Sequence, residues 1–352
     1  MPSESASAPP ERPNRGSAPT LAEVAALAGV SLKTASRAIN GEPHVTDDTR
    51  NKVLAAANTL GFQLNSMASL LKRGIPSNFI GLVTGDLANP FYSALAKGVE
   101  REIRPRNLRL TVASTDEDAD RERELIDELV LRQVRALIVV SAMRSHSDLG
   151  PVQERGVPIV FVDRAPTGLN ADSVVLDNRA GVQNAVEHLL ANGHERIGFI
   201  GDYSSLPTAA ARLDGYKDAM TAAGVKDWRR LVREDAHDAE HARNATLELM
   251  VLADAPTALF AGNNRVTIGV LSALREIGAQ PALIGFDDFE LADVLGVTVV
   301  AHDPVAMGEI AARVAIDAVG THASPRGDVV TMPVWLVQRG SGEIRPGEPW
   351  PG

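Results

Sequence analysis

Cysteine is absent from all 352 residues, so no disulfide framework braces this chain and no thiolate is available to hold zinc. No apolar run reaches the roughly 18 residues of a membrane-spanning helix, which argues against a membrane partner. The opening stretch, MPSESASAPPERPNRGSAP, lacks the basic-then-apolar pattern of a secretory signal, so a cytoplasmic protein is expected. Enzyme signatures are missing too. There is no phosphate-loop GxxxxGK, no GxSxG and no GxGxxG. His237 and His241 stand four apart around Asp238, but the glutamate base of a zinc-protease helix is missing. No third ligand is evident, and a solvated face is the expected setting. Neither a cofactor nor a metal is predicted, and no catalytic constellation supports an enzyme.

What is present begins with 44% hydrophobic residues, enough for a sizeable core and for two or three domains at this length. The net charge of −10 argues at first against nucleic acid, but it is unevenly spread. From Thr20 to Arg73 six bases (Lys33, Arg37, Arg50, Lys52, Lys72, Arg73) face four acids (Glu23, Glu42, Asp47, Asp48), a mildly basic module on an acidic body. That fits one DNA-facing surface on a protein that otherwise repels DNA.

Residues 1–18, rich in Ser, Ala and Pro, read as a disordered tail. From Thr20 to Leu71 the pattern is helical: Thr20 and Glu23 form a capping box before LAEVAALA, Gly29 ends that helix, Ser31 caps the next and Thr46 opens a third. Gly74 and Pro76 then break the pattern. Beyond Phe79 the apolar runs FIGLVTG, LRLTVAS, RALIVVS, PIVFVD, SVVLD, RIGFIG, TALFAG and ALIGF alternate with longer amphipathic stretches, as in doubly wound parallel sheets. Some 260 residues of this texture exceed one common core, so two similar subdomains are expected. Gly81, Gly85, Gly198 and Gly201 fall at strand ends and close packing.

The segment TLAEVAALAGVSLKTASRAING fits two short helices about a Gly29-Val30 turn. Leu21, Val24, Ala25 and Ala28 line one face, and Val30, Ala35 and Ile39 close onto it, with small Ala25 permitting the close crossing of a helix-turn-helix. Leu32, Lys33, Ser36 and Arg37 then lie exposed at the end that enters a major groove. Lys33 and Arg37 can donate to guanine O6 and N7, and Leu32 can meet a thymine methyl. The alternative is a small helical domain with two solvated bases.

The run TLAEVAALAGVSLKTASRAINGEPHVTDDTRNKVLAAANTLGF closely resembles the headpiece of the lactose-repressor (LacI) family of bacterial regulators. The resemblance continues through Asn89-Pro-Phe-Tyr92, Val162-Asp-Arg164, Leu176-Asp-Asn178, His188-Leu-Leu-Ala-Asn-Gly-His194, Ile284-Gly-Phe-Asp-Asp288 and Leu336-Val-Gln-Arg339, spanning about residues 20–342. It implies a small all-α helix-turn-helix headpiece and an α/β sensor of two doubly wound parallel-sheet subdomains, similar to periplasmic sugar-binding proteins, joined by three crossovers. The implied partners are a pseudo-palindromic double-stranded DNA operator, a small-molecule effector and a second copy, as homodimer or dimer of dimers. The expected layout is a headpiece at residues 19–64, a hinge helix and linker at 65–76, a sensor at 77–342 and a tail at 343–352. Within the sensor, one subdomain takes residues 77–178 and 304–330, and the other 179–303 and 331–342.

The expected DNA-binding set is Thr20, Ser31, Leu32, Lys33, Thr34, Ser36, Arg37 and Asn40 in the headpiece, with Asn65, Ala68 and Leu71 in the hinge. A hinge helix this short is below the roughly 12 residues stable alone and should order only on DNA or a partner hinge. By the resemblance, Leu71 is the wedge entering the minor groove, and Ala68 lets two hinges approach. Leu64 stands where the family usually has proline, so hinge entry is less rigid. The resemblance assigns effector binding to Phe91, Tyr92, Asp163, Thr208, Arg212, Asn263 and Asp287, at or near the carboxyl ends of strands. Carboxylates, an amide and an arginine can each fix one edge of a polyol. The rival role for each acid is capping the next helix, preferred for Asp177 and Asp288. Ala236 occupies the place where many sugar-sensing relatives carry a stacking aromatic, and Asn264 replaces a common aspartate, so an ordinary hexose is in doubt. Besides an enzyme, the remaining alternative is a free-standing solute-binding protein, which would need export.

Overall fold

A computed structural model describes residues 19–62, 77–320 and 325–350; Asn65, Ala68 and Leu71 lie outside them. The chain divides into two units at residue 75. In the first, α1 (Leu21–Ala28), α2 (Leu32–Ile39) and α3 (Asp47–Leu60) enclose a core of Val24, Ala25, Ala35, Ala38, Val53, Ala56 and Ala57. Local chemistry fixes each boundary. Thr20 and Glu23 bond reciprocally as a capping box, and Gly29 stops α1 at φ 65°, a left-handed value costly for other residues. Ser31 caps α2 by accepting from the Thr34 amide, and Thr46 does the same for α3 from Thr49. Arg50 donates to the carbonyls of Ala38 and Glu42, tying the end of α2 to α3.

The second unit holds two six-stranded sheets. The first comprises β1 (Phe79–Thr84), β2 (Arg109–Ser114), β3 (Leu137–Val139), β4 (Ile159–Val162), β5 (Ser173–Leu176) and β11 (Val329–Met332), in the order β11-β5-β4-β3-β1-β2 and wholly parallel. The second comprises β6 (Ile197–Ile200), β7 (Val232–Arg233), β8 (Ala258–Ala261), β9 (Ala282–Phe286), β10 (Thr298–Ala301) and β12 (Trp335–Val337). Its order is β12-β10-β9-β8-β6-β7, with β12 alone antiparallel to its neighbour. The chain passes between sheets after β5, after β10 and after β11, which gives the three crossovers of the implied fold. Around the first sheet lie α4 (Pro90–Ile103), α5 (Ala119–Leu131), α6 (Gly150–Glu154) and α11 (Pro304–Ala318). With the second belong α7 (Asn178–Ala191), α8 (Pro207–Ala222), α9 (Ala239–Met250) and α10 (Asn264–Ile277).

The strands are nearly continuous buried runs, because helices cover both faces of a parallel sheet. The helix pairs approach closely where glycine removes a side chain. A Cβ on Gly98 of α4 would stand 2.0 Å from the Val305 carbonyl oxygen of α11, and one on Gly308 would stand 2.1 Å from that of Leu95. Two details depart from the sequence reading. β11 remains in the first sheet through Met332, two residues beyond the expected change of subdomain. Residues 343–350, expected as a tail, pack on the second lobe. Glu343 bonds His188 and Thr298, Ile344 is buried, and the Trp350 indole donates to the Pro281 carbonyl at 2.8 Å.

Candidate functional site

On α2 the core takes Ala35 and Ala38, which turns Leu32, Lys33 and Arg37 outward. Leu32 is 53% exposed, a large apolar side chain left in water on a helix whose charged groups are both basic. Arg37 has only a loose contact, 3.7 Å, with Glu42, a pairing that costs little to give up. The other expected contacts are partly occupied within the headpiece. Thr20 is bonded to Glu23, Ser31 to Thr34, and the Asn40 amide donates to the Ser36 carbonyl at 2.8 Å. These residues shape and position α2, whereas Leu32, Lys33 and Arg37 present its free surface.

In the second unit the carboxyl ends of the two sheets converge on a cavity of about 40 Å³. Its lining contains Phe91, Tyr92, Asp163, Thr208, Arg212, Asn263 and Asp287, together with Asn89, Arg164 and Asp202. All seven residues expected at an effector site therefore meet around one space, although they span almost 200 positions of sequence. A wider groove of about 1010 Å³ runs along α4 and β2, but its polar lining residues are exposed and none of its lining is buried. The small cavity is where the chemistry lies.

Arg212 is fixed on several sides. Its Nε donates to Asn178 and one terminal nitrogen to the Gly262 carbonyl, each at 2.7 Å. Its guanidinium lies 3.7 Å above the Phe286 ring, and another nitrogen is 3.9 Å from Asp287. Asp287 also accepts from His302 Nε2 at 2.9 Å. Burial pushes its carboxyl up, but Arg212 and His302 outweigh that and hold it below the ordinary carboxylate range. Asp163 occupies the matching place at the end of β4, and burial raises its carboxyl despite the pull of Arg164 and Arg212. Both aspartates have φ 68°, a left-handed conformation that no helix cap requires. Asp177, by contrast, caps α7 as expected, whereas Asp288 caps no described helix and instead grips Arg339 through both oxygens.

Several site groups carried no assigned role in the sequence. Arg164 is buried, pairs with Glu117 at 2.6 Å and 3.0 Å, and stands 3.6 Å from Asp163. The Tyr92 hydroxyl donates to the same Glu117. Asp202 accepts from Asn263 at 2.8 Å and from His237 Nδ1 at 2.7 Å. His237 is therefore not on a solvated face: its ring stacks on Tyr203 with centroids 4.3 Å apart. Ala236, just before it, is buried in the second-lobe core. Asn89, Arg164 and Asn178 all sit inside the motifs that carry the family resemblance, and Asp202 follows a strand end, so a signal for each existed. His302 and Glu117 had none.

Among the described residues, four buried side-chain polar atoms lack a hydrogen-bond partner: Arg164 Nε, Ser173 Oγ, Asn264 Oδ1 and His302 Nδ1. Three of the four belong to residues bordering the cavity or in contact with its lining. Buried orphans are rare, and three of these four gather at one cleft.

Comparison with known proteins identifies the family. Residues 20–65 match the family described as bacterial regulatory proteins, lacI family, and residues 77–324 match periplasmic binding proteins and sugar binding domain of LacI family. The chain is 31% identical over 328 residues to the HTH-type transcriptional regulator GalR of Salmonella typhimurium, covering 92% of this chain and 95% of that protein. It is 32% identical over 282 residues to the regulator DegA of Bacillus subtilis, covering 78% and 83%. Among solved structures, the transcriptional regulator CelR–cellobiose complex aligns with a TM-score of 0.67 at 28% identity, covering 91% of this chain and 99% of that one. The lac repressor dimer bound to operator and the anti-inducer ONPF shares the fold with a TM-score of 0.74 at 24% identity, covering 93% and 100%. The chain belongs to the LacI family of DNA-binding bacterial transcriptional regulators.

Proposed function

We propose that this regulator acts in the cytoplasm as a homodimeric repressor without enzymatic activity, releasing or gripping a pseudo-palindromic operator according to the occupancy of the cleft. The convergence of the seven expected effector residues, with orphaned polar atoms beside them, carries the reading. In the headpiece Arg37 and Lys33 read guanine edges and Leu32 meets a thymine methyl, while Thr20, Ser31, Thr34, Ser36 and Asn40 position α2 and reach phosphates or base edges. Asn65, Ala68 and Leu71 would form the hinge contact in the minor groove.

In the cleft, Arg212 offers its remaining terminal nitrogen, held in place, beside the ionised acceptor Asp287, and Asp163 offers a second acceptor on the opposite lobe. Paired donors and acceptors of this kind suit vicinal hydroxyls. The ligand class we assign is a small polyhydroxyl compound, a sugar derivative or polyol, held by hydrogen bonds rather than by an aromatic at 236. The cavity is far below the roughly 300 Å³ of a typical ligand pocket, so entry requires the lobes to part.

Retardation of a duplex carrying a palindrome with a central CG tests the DNA reading. Binding should weaken steeply with salt, the logarithmic slope being about −0.9 per phosphate neutralised. A thermal-shift panel of sugars, sugar phosphates, polyols, nucleosides and amino acids tests the cleft. A purine that stabilises the protein and still does so in Arg212→Ala would overturn the ligand class and the site together.

A further inference from the structure

The loop after β1 and the first turn of α10 belong to opposite lobes, yet their side chains meet. The Asn264 amide donates to Asn89 Oδ1 at 2.9 Å, and Arg265 forms an ion pair with Asp86. Asn89 also accepts from the Phe91 amide, so one oxygen caps α4 and receives the other lobe. Asp86 is likewise fixed by accepting from the Ala88 amide. The ion pair is only 28% and 23% exposed, so water screens it less than a surface pair, and the adjacent Asn264 is fully buried. Neither Asp86 nor Arg265 lines the cavity.

Sequence identity at these positions is specific to the contact. An aspartate at 264 would set a carboxylate oxygen against the Asn89 acceptor and could not donate. The Asn264 amide completes the bridge while Asn263, one residue earlier, caps α10 and bonds Asp202. The two helix N-termini that flank the cleft are thus joined side chain to side chain, one residue away from the groups proposed to hold an effector.

We propose that Asp86–Arg265 and Asn89–Asn264 form a latch across the cleft, making these four residues positioning groups that set the equilibrium between open and closed lobes. An effector enters only by breaking the latch and is then enclosed when it re-forms. The latch concerns the lobes alone, so it stands whether or not the ligand proves to be polyhydroxyl.

The absence of native cysteine makes the test direct, since spin labels attach only where cysteine is introduced. Labels at Ser145→Cys and Ser205→Cys, both exposed and on loops after β3 and β6, report the distance between lobes by pulsed dipolar spectroscopy without any ligand. In the otherwise wild-type chain a short distance should dominate. Arg265→Ala, Asp86→Ala and the near-isosteric Asn264→Asp should each raise the ratio of long to short distances about fivefold, as expected for loss of one modest polar contact. The charge exchange Asp86→Arg with Arg265→Asp should restore the short distance, which a misfolded protein could not do. Distances unchanged in all three single variants overturn the latch. So does an exchanged pair that stays as open as either parent.

Discussion

Arg37 and Arg212 are the same side chain in different surroundings, which suit them to the different uses we propose. Arg37 stands in water with only a 3.7 Å contact to Glu42, so its fork can turn to a base edge. Arg37→Ala should cost about 1–3 kcal/mol of operator affinity and relax preference at one base pair, whereas equal loss on all duplexes would make it a phosphate contact. Lys33 should show a smaller effect, because an ammonium cannot form the planar fork. Arg212 is immobilised by Asn178, the Gly262 carbonyl and the Phe286 ring. Arg212→Lys keeps the charge but cannot make both hydrogen bonds and the stack, so affinity for any hit from the thermal-shift panel should fall at least about tenfold, or ~1.4 kcal/mol. Operator affinity measured without ligand should stay near wild type. His237 offers a third case at this scale. Asp202 raises its pKa above 6.5 despite the opposing effect of burial, with Glu117 adding to the rise and Arg265 opposing it. A raised histidine stabilises the fold fully below about pH 6.5 and loses that contribution as pH rises through the higher folded value. Urea midpoints of wild type and His237→Gln, followed from pH 5 to 9, should therefore differ most at the acid end and converge on the alkaline side. A constant gap would mean that the stacking on Tyr203, and not the charge, is what His237 supplies.

Elements in this protein are delimited by side chains that recur at their ends. Asn89, Asp118, Asp177, Asp238, Asn263 and Asp303 each cap the helix that follows, which is why the helices start two to four residues before their apolar pattern becomes obvious. Between elements, distance is set by glycine. A methyl added at Gly98 would meet the backbone of α11 at 2.0 Å, and backbone cannot swing aside as a side chain can. Gly98→Ala should thus destabilise by about 1–3 kcal/mol through overpacking, despite alanine's better helix propensity. Gly150, at the start of α6, has open space around its absent Cβ. Gly150→Ala should be neutral or stabilising by up to about 1 kcal/mol, because it restricts only the unfolded chain. Thermal melts of the two variants side by side check the contrast, and equal destabilisation would contradict the close crossing of α4 and α11.

At the scale of the whole molecule, a headpiece and a ligand-binding unit on one chain make sense only if their equilibria are linked. Linkage is reciprocal. A ligand that lowers operator affinity tenfold must itself bind the DNA complex tenfold more weakly, about 1.4 kcal/mol in each direction. Titrating a panel hit into free protein and into protein saturated with operator should return the same factor that the ligand imposes on operator binding. Unequal factors would mean that the ligand also changes the assembly state, since linkage holds only when both measurements share the same states. The three crossovers suit such a device: each is a short passage, from β5 into α7, from β10 into α11 and from β11 into β12, where a few residues can absorb a relative rotation of the lobes.

The sequence by itself determined the helices of the headpiece, the outward face of α2 and the doubly wound character of the sensor. Those follow from periodicity and caps, which are local and so are written within a turn or two of chain. It also named seven residues of the cleft, because a family resemblance carries positions across distances that periodicity cannot. β7, β10, β11 and β12 were passed over: β7 is two residues long, edge strands such as β11 expose Val329 and Val330, and β10 is a buried interior strand of only four residues. The partners of the site residues were decided only in three dimensions. Glu117 under Arg164, His302 on Asp287, His237 on Tyr203 and Arg265 reaching Asp86 lie tens to almost two hundred residues apart in most cases, and no spacing rule links them. Their common cause is the fold itself, which brings the carboxyl ends of two parallel sheets face to face and leaves polar loops nowhere to go but against one another.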